Sequence, residues 1–314
     1  MCEGDRCGAS HRNTPADPLR RAFQPPIRAL RGRNSQECGD HAMKTAESSS
    51  GTLWRWVSVG ASLVGILAFS WPLWVSLVPW PQAVLGPAAV MTTPVVVVVV
   101  LLSSETQLRN PRVLAMVGVL AALAAAARLL SAGIGGIEFV FVMVILAGRV
   151  LGARLGFVVG ALALAVSSLM WGGFGPWSAF QMLAVGFVGA VAGLLPRWTG
   201  QPRVELGMLM VYGAAASYVF GLLMNLWFWP VVLGSGTTLS LVEGAGFGEN
   251  AASFFLYSLA TSTLTWDTVR AITTVVTLGV IGIPALTALR RVIARPALHR
   301  EVLGLGVMEN ERIR

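Results

Sequence analysis

Charge is scarce in this sequence. Of its 314 residues only 12% are Asp, Glu, Lys or Arg, about half the share of an ordinary soluble domain. So little charge cannot cover a water-facing surface, and an ordinary soluble fold is excluded. Lysine is almost missing, Lys44 being the sole one among 23 basic residues. Histidine is rare too: His11 and His41 lie in the amino-terminal tail and His299 beyond the last apolar block. Rhomboid-type proteolysis and helix-borne HExxH zinc chemistry both need histidine within the apolar helices, so neither is available. Cys2, Cys7 and Cys38 all fall in the tail, and their spacing fits no zinc pattern, so no metal site is expected.

Other chemistry is absent as well. There is no G-x-x-x-x-G-K-[ST] loop, which removes P-loop ATP binding and with it an ATPase of the chain's own. No paired Asp-rich motif offers carboxylates on adjacent turns for Mg²⁺–diphosphate work. No carboxylate stands in the middle of an apolar block, where a proton- or sodium-coupled carrier places one. The net charge of +8 does not mark a nucleic-acid binder either. Nine of the basic residues precede position 56 and most others flank apolar blocks, which is how topology signals are arranged.

What the chain has is apolar length. Hydrophobic residues make up 55%, mean hydropathy is +0.69, and the apolar residues come in continuous blocks near the ~20 residues that a helix needs to cross a bilayer. The pattern predicts an all-α polytopic membrane protein and not a barrel. Eight spans are expected: 56–78, with Pro72 as a kink, then 83–102, 113–130, a shorter 139–147, 155–170, 179–195, 207–233 and 269–289. Residues 251–264 read as a surface or re-entrant helix. Residues 1–53 form a polar, disordered cytoplasmic tail, and Met43 offers an alternative start that would make 1–42 a mis-called extension. Residues 54–102 form a two-helix extension, 103–295 a six-helix core, and 296–314 a second cytoplasmic tail.

The arginines orient these spans. Arg109, Arg112, Arg149, Arg154, Arg197, Arg203, Arg290, Arg291 and Arg295 fall on the side of the basic tail, while the loops 79–86, 171–178 and 234–250 carry no basic residue. The positive-inside rule puts both termini in the cytoplasm of a bacterial inner membrane protein and turns the alternate loops outward.

One outward loop is unusual. Between two apolar runs stands WGGFGPWSAFQM, Trp171 to Met182. Gly172, Gly173, Gly175 and Pro176 predict a tight turn. Trp171, Phe174, Trp177 and Phe180 offer flat apolar contacts, and Gln181 a directed hydrogen bond, the mixture expected of a ligand site. Arg128, Glu138, Asn225, Trp227 of the WFWP cluster, and Asp267 belong to the same outer side and are candidates for the same site. The competing readings are an aromatic interfacial belt for the rings and snorkelling anchors for the charges. On the third span Gly118, Ala122 and Ala126 make a small-xxx-small-xxx-small face, beside Ala115, Ala121 and Ala125. It serves either a partner helix or packing within the chain.

These segments resemble a known family. LAGRVLGARLGFVVGALALAVSSLMWGGFGPWSAFQM with VGFVGAVAGLLPR, YGAAASYVFGLLMNLWFWP, SLATSTLTWDTVRAITTVV and ASLVGILAFSWPLW are similar to the substrate-binding S components of energy-coupling factor (ECF) vitamin transporters. The likeness covers roughly 56–291. It implies an S-component-like six-helix core with two added amino-terminal helices, capturing a vitamin at the outer face, with cobalamin the first guess. It implies partners as well: a transmembrane T component, docked on Gly118, Ala122 and Ala126, and two ATPase subunits that alone use ATP. No covalent cofactor and no nucleic acid are implied. The alternative class is an autonomous secondary transporter or channel, which needs a coupling residue or a polar pore.

Overall fold

A computed structural model describes residues 56–74, 82–131, 134–196, 200–234, 236–242 and 244–294. The expected tails, their cysteines and histidines, and Arg197 and Arg295 lie outside these residues. The described residues all belong to one compact unit, and all their regular structure is helical. In chain order the helices are α1 (Trp56–Phe69), α2 (Trp71–Trp74), α3 (Gln82–Leu102), α4 (Glu105–Leu108), α5 (Pro111–Ser131) and α6 (Val140–Leu151). There follow α7 (Ala153–Trp171), α8 (Pro176–Leu194), α9 (Pro202–Leu233), α10 (Phe247–Ser258) and α11 (Thr268–Ile293), with a π-helix, Leu259–Asp267, joining the last two.

Six helical stretches are long and apolar enough to cross a membrane, and the chain is a multi-pass helical membrane protein. Two expected spans, at α1 and α6, fall short of that length. The first apolar block breaks at Ser70, because Pro72 has no N–H to continue the ladder. Helix α6 ends at Gly152, whose φ of 89° breaks the helix, and it lies at the centre. It packs against α5, α7, α8, α9 and α11, and ten of its 12 residues are buried. A helix apolar on every face belongs in such an interior.

The third difference lies near the carboxyl end. The separate surface helix expected over 251–264 is continuous with the last span, giving one helical run, Phe247–Ile293. Helix α11 alone, at 26 residues, is ~39 Å long at 1.5 Å per residue and already exceeds a ~30 Å hydrocarbon core.

Small residues set the closest packing. Gly148 of α6, Gly156 of α7 and Gly189 of α8 meet backbone to backbone, and a Cβ on Gly156 would come within 2.5 Å of the Gly189 carbonyl oxygen. In lipid such close approach supplies the van der Waals contact that holds helices together. The first helices join the same core: Phe69 packs edge-on to Phe180, and the indole N–H of Trp71 donates to the Trp227 carbonyl at 3.2 Å. Large apolar side chains such as Met91, Val119, Leu169, Val211 and Val280 point outward, as a lipid-facing surface requires.

Hydrogen bonds fix which helix ends lie together. Arg149 at the end of α6 reaches the carbonyls of Leu195 and Pro196 after α8, and Glu205 at the start of α9 also binds Arg290 at the end of α11. At the other end Arg128 of α5 reaches Gln181 of α8, and Glu138 before α6 pairs with Arg270 of α11.

Candidate functional site

The site grows from the ends of five helices. The turn after α7 places two glycines in the left-handed region, Gly172 at φ 129° and Gly173 at φ 88°. That backbone strongly favours glycine and matches the expected tight turn. Helix α8 then starts with Pro176, and Ser178 Oγ accepts from the Gly175 N–H at 2.9 Å, which satisfies the helix start. Trp171, Phe174 and Trp177 remain half-exposed or more on this turn. Phe180, one turn further, is fully buried. It stacks on Trp227 with ring centroids 4.3 Å apart and an 8° interplanar angle. The five aromatic candidates therefore divide: three stand exposed on the turn, of which Trp171 lines a cavity, and two lie in the core. Trp227 Nε1 is buried and finds no acceptor among the described residues.

Charged groups converge beside the turn. Arg270 is the centre of one cluster. Its Nη1 donates to Asp267 Oδ1 at 2.6 Å and to the Ser217 carbonyl at 3.3 Å, and its Nε donates to Glu138 Oε2 at 3.0 Å. Its guanidinium also lies over Phe220 and Phe141, 4.9 and 5.7 Å from their centroids, so cation–π attraction adds to two ion pairs. Asp267 is fully buried and accepts from Ser262 Oγ at 3.0 Å. Its carboxylate occupies the space where a side chain on Gly221 would stand, so α9 can approach only because position 221 has no Cβ.

Arg128 is held differently. Its Nη1 donates to Ser167 Oγ at 3.0 Å and its Nη2 to Gln181 Oε1 at 3.2 Å, both neutral acceptors. Arg128 and Glu138 line one cavity of about 170 Å³ together with Trp171 and with Trp266 from the π-helix. Asn225 lies off this cavity, donating to Ser258 Oγ at 2.8 Å, and Ser258 in turn meets Thr263. The structure thus joins Arg128, Glu138 and Trp171 at one cavity, sets Gln181 against Arg128, puts Asp267 behind it through Arg270, and leaves Asn225, Phe180 and Trp227 in the packing around it.

Sequence reasoning missed two contributors. Trp266 and Arg270 were visible only as a ring and a cation beside Asp267, and the π-helix that aims them has no pattern of its own. Hydroxyl residues crowd that segment, and single π turns in helices often mark functional sites. The lack of a carboxylate in the middle of the apolar blocks does not leave all carboxylates in water: Asp267 and Glu205 are both buried. Each lies near a helix end, not mid-helix, and each is paired with arginine.

On α5 the small residues separate by face. Gly118, Ala122 and Ala126 are exposed, and nothing lies within 4 Å of a Cβ placed on Gly118. Ala121 and Ala125 are buried. Among the described residues no group of three metal-ligating side chains occurs. Comparison with protein-family models, with curated proteins and with solved structures finds no match.

Proposed function

We propose that this protein is the substrate-binding membrane subunit of an importer of the ECF type, capturing a small organic molecule from outside at the end of the helix bundle remote from its arginine-rich end. The observation that carries the reading is the joining of Arg128, Glu138 and Trp171 around one cavity, with Arg128 held by Gln181. A site of that kind combines apolar walls with a few placed polar groups, as ligand sites do. Its side of the bundle is the outer one by the positive-inside rule, with both termini in the bacterial cytoplasm.

The resemblance to S components supplies the rest of the reading. Energy comes from partners, since the chain carries no P-loop: a T component docks on α5, and two ATPases drive release. The exposed Gly118–Ala122–Ala126 face fits that docking, because a neighbouring helix can approach it with no side chain in the way. The eight-helix description, six in the core and two added, holds if α1 and α6 count as partial spans. Cobalamin, named from the resemblance, needs a far wider mouth than about 170 Å³, so it enters as the comparison ligand.

An autonomous cation-coupled carrier is the second reading, favoured by one observation, the buried carboxylate of Asp267. The bond to Arg270 weighs against it, because a coupling carboxylate must exchange its cation. Co-expression with a T component and two ATPases separates the two. A stable complex that Gly118→Leu disrupts, with ATP-dependent uptake, is the expected result. Solute uptake by the solitary protein, driven by an ion gradient, would overturn the proposal.

A further inference from the structure

The cavity has a size and a charge pattern, and together they narrow what it can hold. This step rests on the reading that the outer end of the bundle captures a ligand. A volume of about 170 Å³ is close to the ~150 Å³ of an engineered cavity that binds benzene, and well below the ~300–1,000 Å³ of drug-sized sites. It takes one ring with short substituents.

The charges are not equivalent. A guanidinium carries five N–H groups, and Arg128 directs two of its bonds to neutral oxygens, Ser167 Oγ and Gln181 Oε1. No carboxylate among the described residues ion-pairs with it. Its positive charge therefore faces the cavity with donors to spare, fixed in direction by those two bonds. Glu138 is engaged the other way round. Its Oε2 accepts from Arg270, its side chain is 30% exposed, and it lines the same cavity. The second carboxylate oxygen remains an acceptor. The same cavity is lined by Trp171 and Trp266, which are 61% and 50% exposed. Flat, half-uncovered rings next to a cavity of one-ring size favour a planar guest.

We infer that this cavity binds a small planar carboxylic acid that also carries an N–H donor. The carboxylate sits on the Arg128 guanidinium, where paired N–H···O bonds are geometrically favoured. The ring lies against Trp171 and Trp266, and the N–H group points to Glu138. Neutral amides of the same shape are rejected because they leave the guanidinium without an anion in a partly desolvated site.

The probe is 4-aminobenzoate, with 4-aminobenzamide as its neutral isostere, benzoate as the form without the donor, and cyanocobalamin as the large comparison ligand. Each is titrated calorimetrically into the purified full-length protein in detergent. The expected order is 4-aminobenzoate at least tenfold tighter than its amide and at least threefold tighter than benzoate. In Arg128→Gln the acid loses at least tenfold while the amide changes less than threefold, and in Glu138→Gln the advantage over benzoate disappears. Should Arg128→Gln fail to fold, the acid-to-amide ratio of the unaltered protein decides. Equal binding of acid and amide, no saturable acid binding to folded protein, or cobalamin binding that 4-aminobenzoate does not compete would each overturn the inference. Acid binding as expected, with no complex formed with the T component and ATPases, would overturn the importer reading and leave this inference standing.

Discussion

The two ends of the helix bundle hold the same kinds of charge in opposite ways. At the arginine-rich end Glu205 is 2% exposed and receives both Arg149 Nε and Arg290 Nη2 at 2.5 Å. Arg149 also donates to the Leu195 and Pro196 carbonyls at 2.6 and 2.8 Å. The buried Arg149 is thus held by three protein acceptors, Arg290 is 48% exposed, and four helix ends are tied. At the other end one arginine, Arg270, is equally saturated, while Arg128 and Glu138 keep bonding capacity toward a cavity. A saturated buried network rigidifies, and a half-satisfied one costs stability unless something completes it. The first end is a clamp, and the second leaves polar groups facing a cavity.

Substitutions can break that contrast, and the clamp should give the largest effect. Glu205→Ala leaves two arginine charges without their carboxylate, one of them fully buried, and removing one partner of a buried pair costs about 3–5 kcal/mol. Glu138→Ala should cost far less stability, since its side chain is partly exposed and Arg270 keeps Asp267. Thermal unfolding of the two variants in detergent reads the difference directly. Equal losses would mean that the outer cluster is structural as well.

Next comes the aromatic stack behind the mouth. Phe180→Ala empties a fully buried ring site against Trp227 and Phe69 and should destabilise by about 3–5 kcal/mol. Where the variant still folds, affinity for the bound ligand should change less than threefold. If affinity collapses while the melting temperature holds, the stack belongs to the site and not to the core.

The smallest change sharpens the mouth itself. Trp171→Ala should weaken ligand binding about tenfold, about 1.4 kcal/mol, with little loss of stability because the ring is 61% exposed. Trp177→Ala, on the same turn but outside the cavity wall, should weaken it less than threefold. Calorimetric titration of the two variants against the unaltered protein tests the pair. The reverse order would move the site to the far side of the turn.

Much of the architecture was legible because hydropathy reports it. The boundaries of α3, α5, α7, α8 and α9 lie within a few residues of the apolar blocks, and Arg128, Glu138 and Trp171 line one cavity. The clamp was not legible. Glu205 finds its arginines 56 and 85 residues away, and in sequence Arg149 and Arg290 look like any other topology arginines. Aromatic burial escaped for a similar reason: Phe180 and Trp177 lie three positions apart, and only the packing of α1 and α9 covers the former. The face of α5 could be read as small, but its outward aim depended on where α6 and α7 came to rest.

The π-helix between α10 and α11 has a consequence for how this protein can vary. An α-helix turns about 100° per residue, so each residue added or removed in Leu259–Asp267 changes the phase between the helices on either side. The wide turns of that segment can absorb such a change locally. Asp267 closes the π-helix and Arg270 stands in the first turn of α11, while α10 with Phe254 lies upstream of the segment. A one-residue insertion or deletion upstream of Asp267 should therefore shift α10 and Phe254 while the Asp267–Arg270 pair is kept.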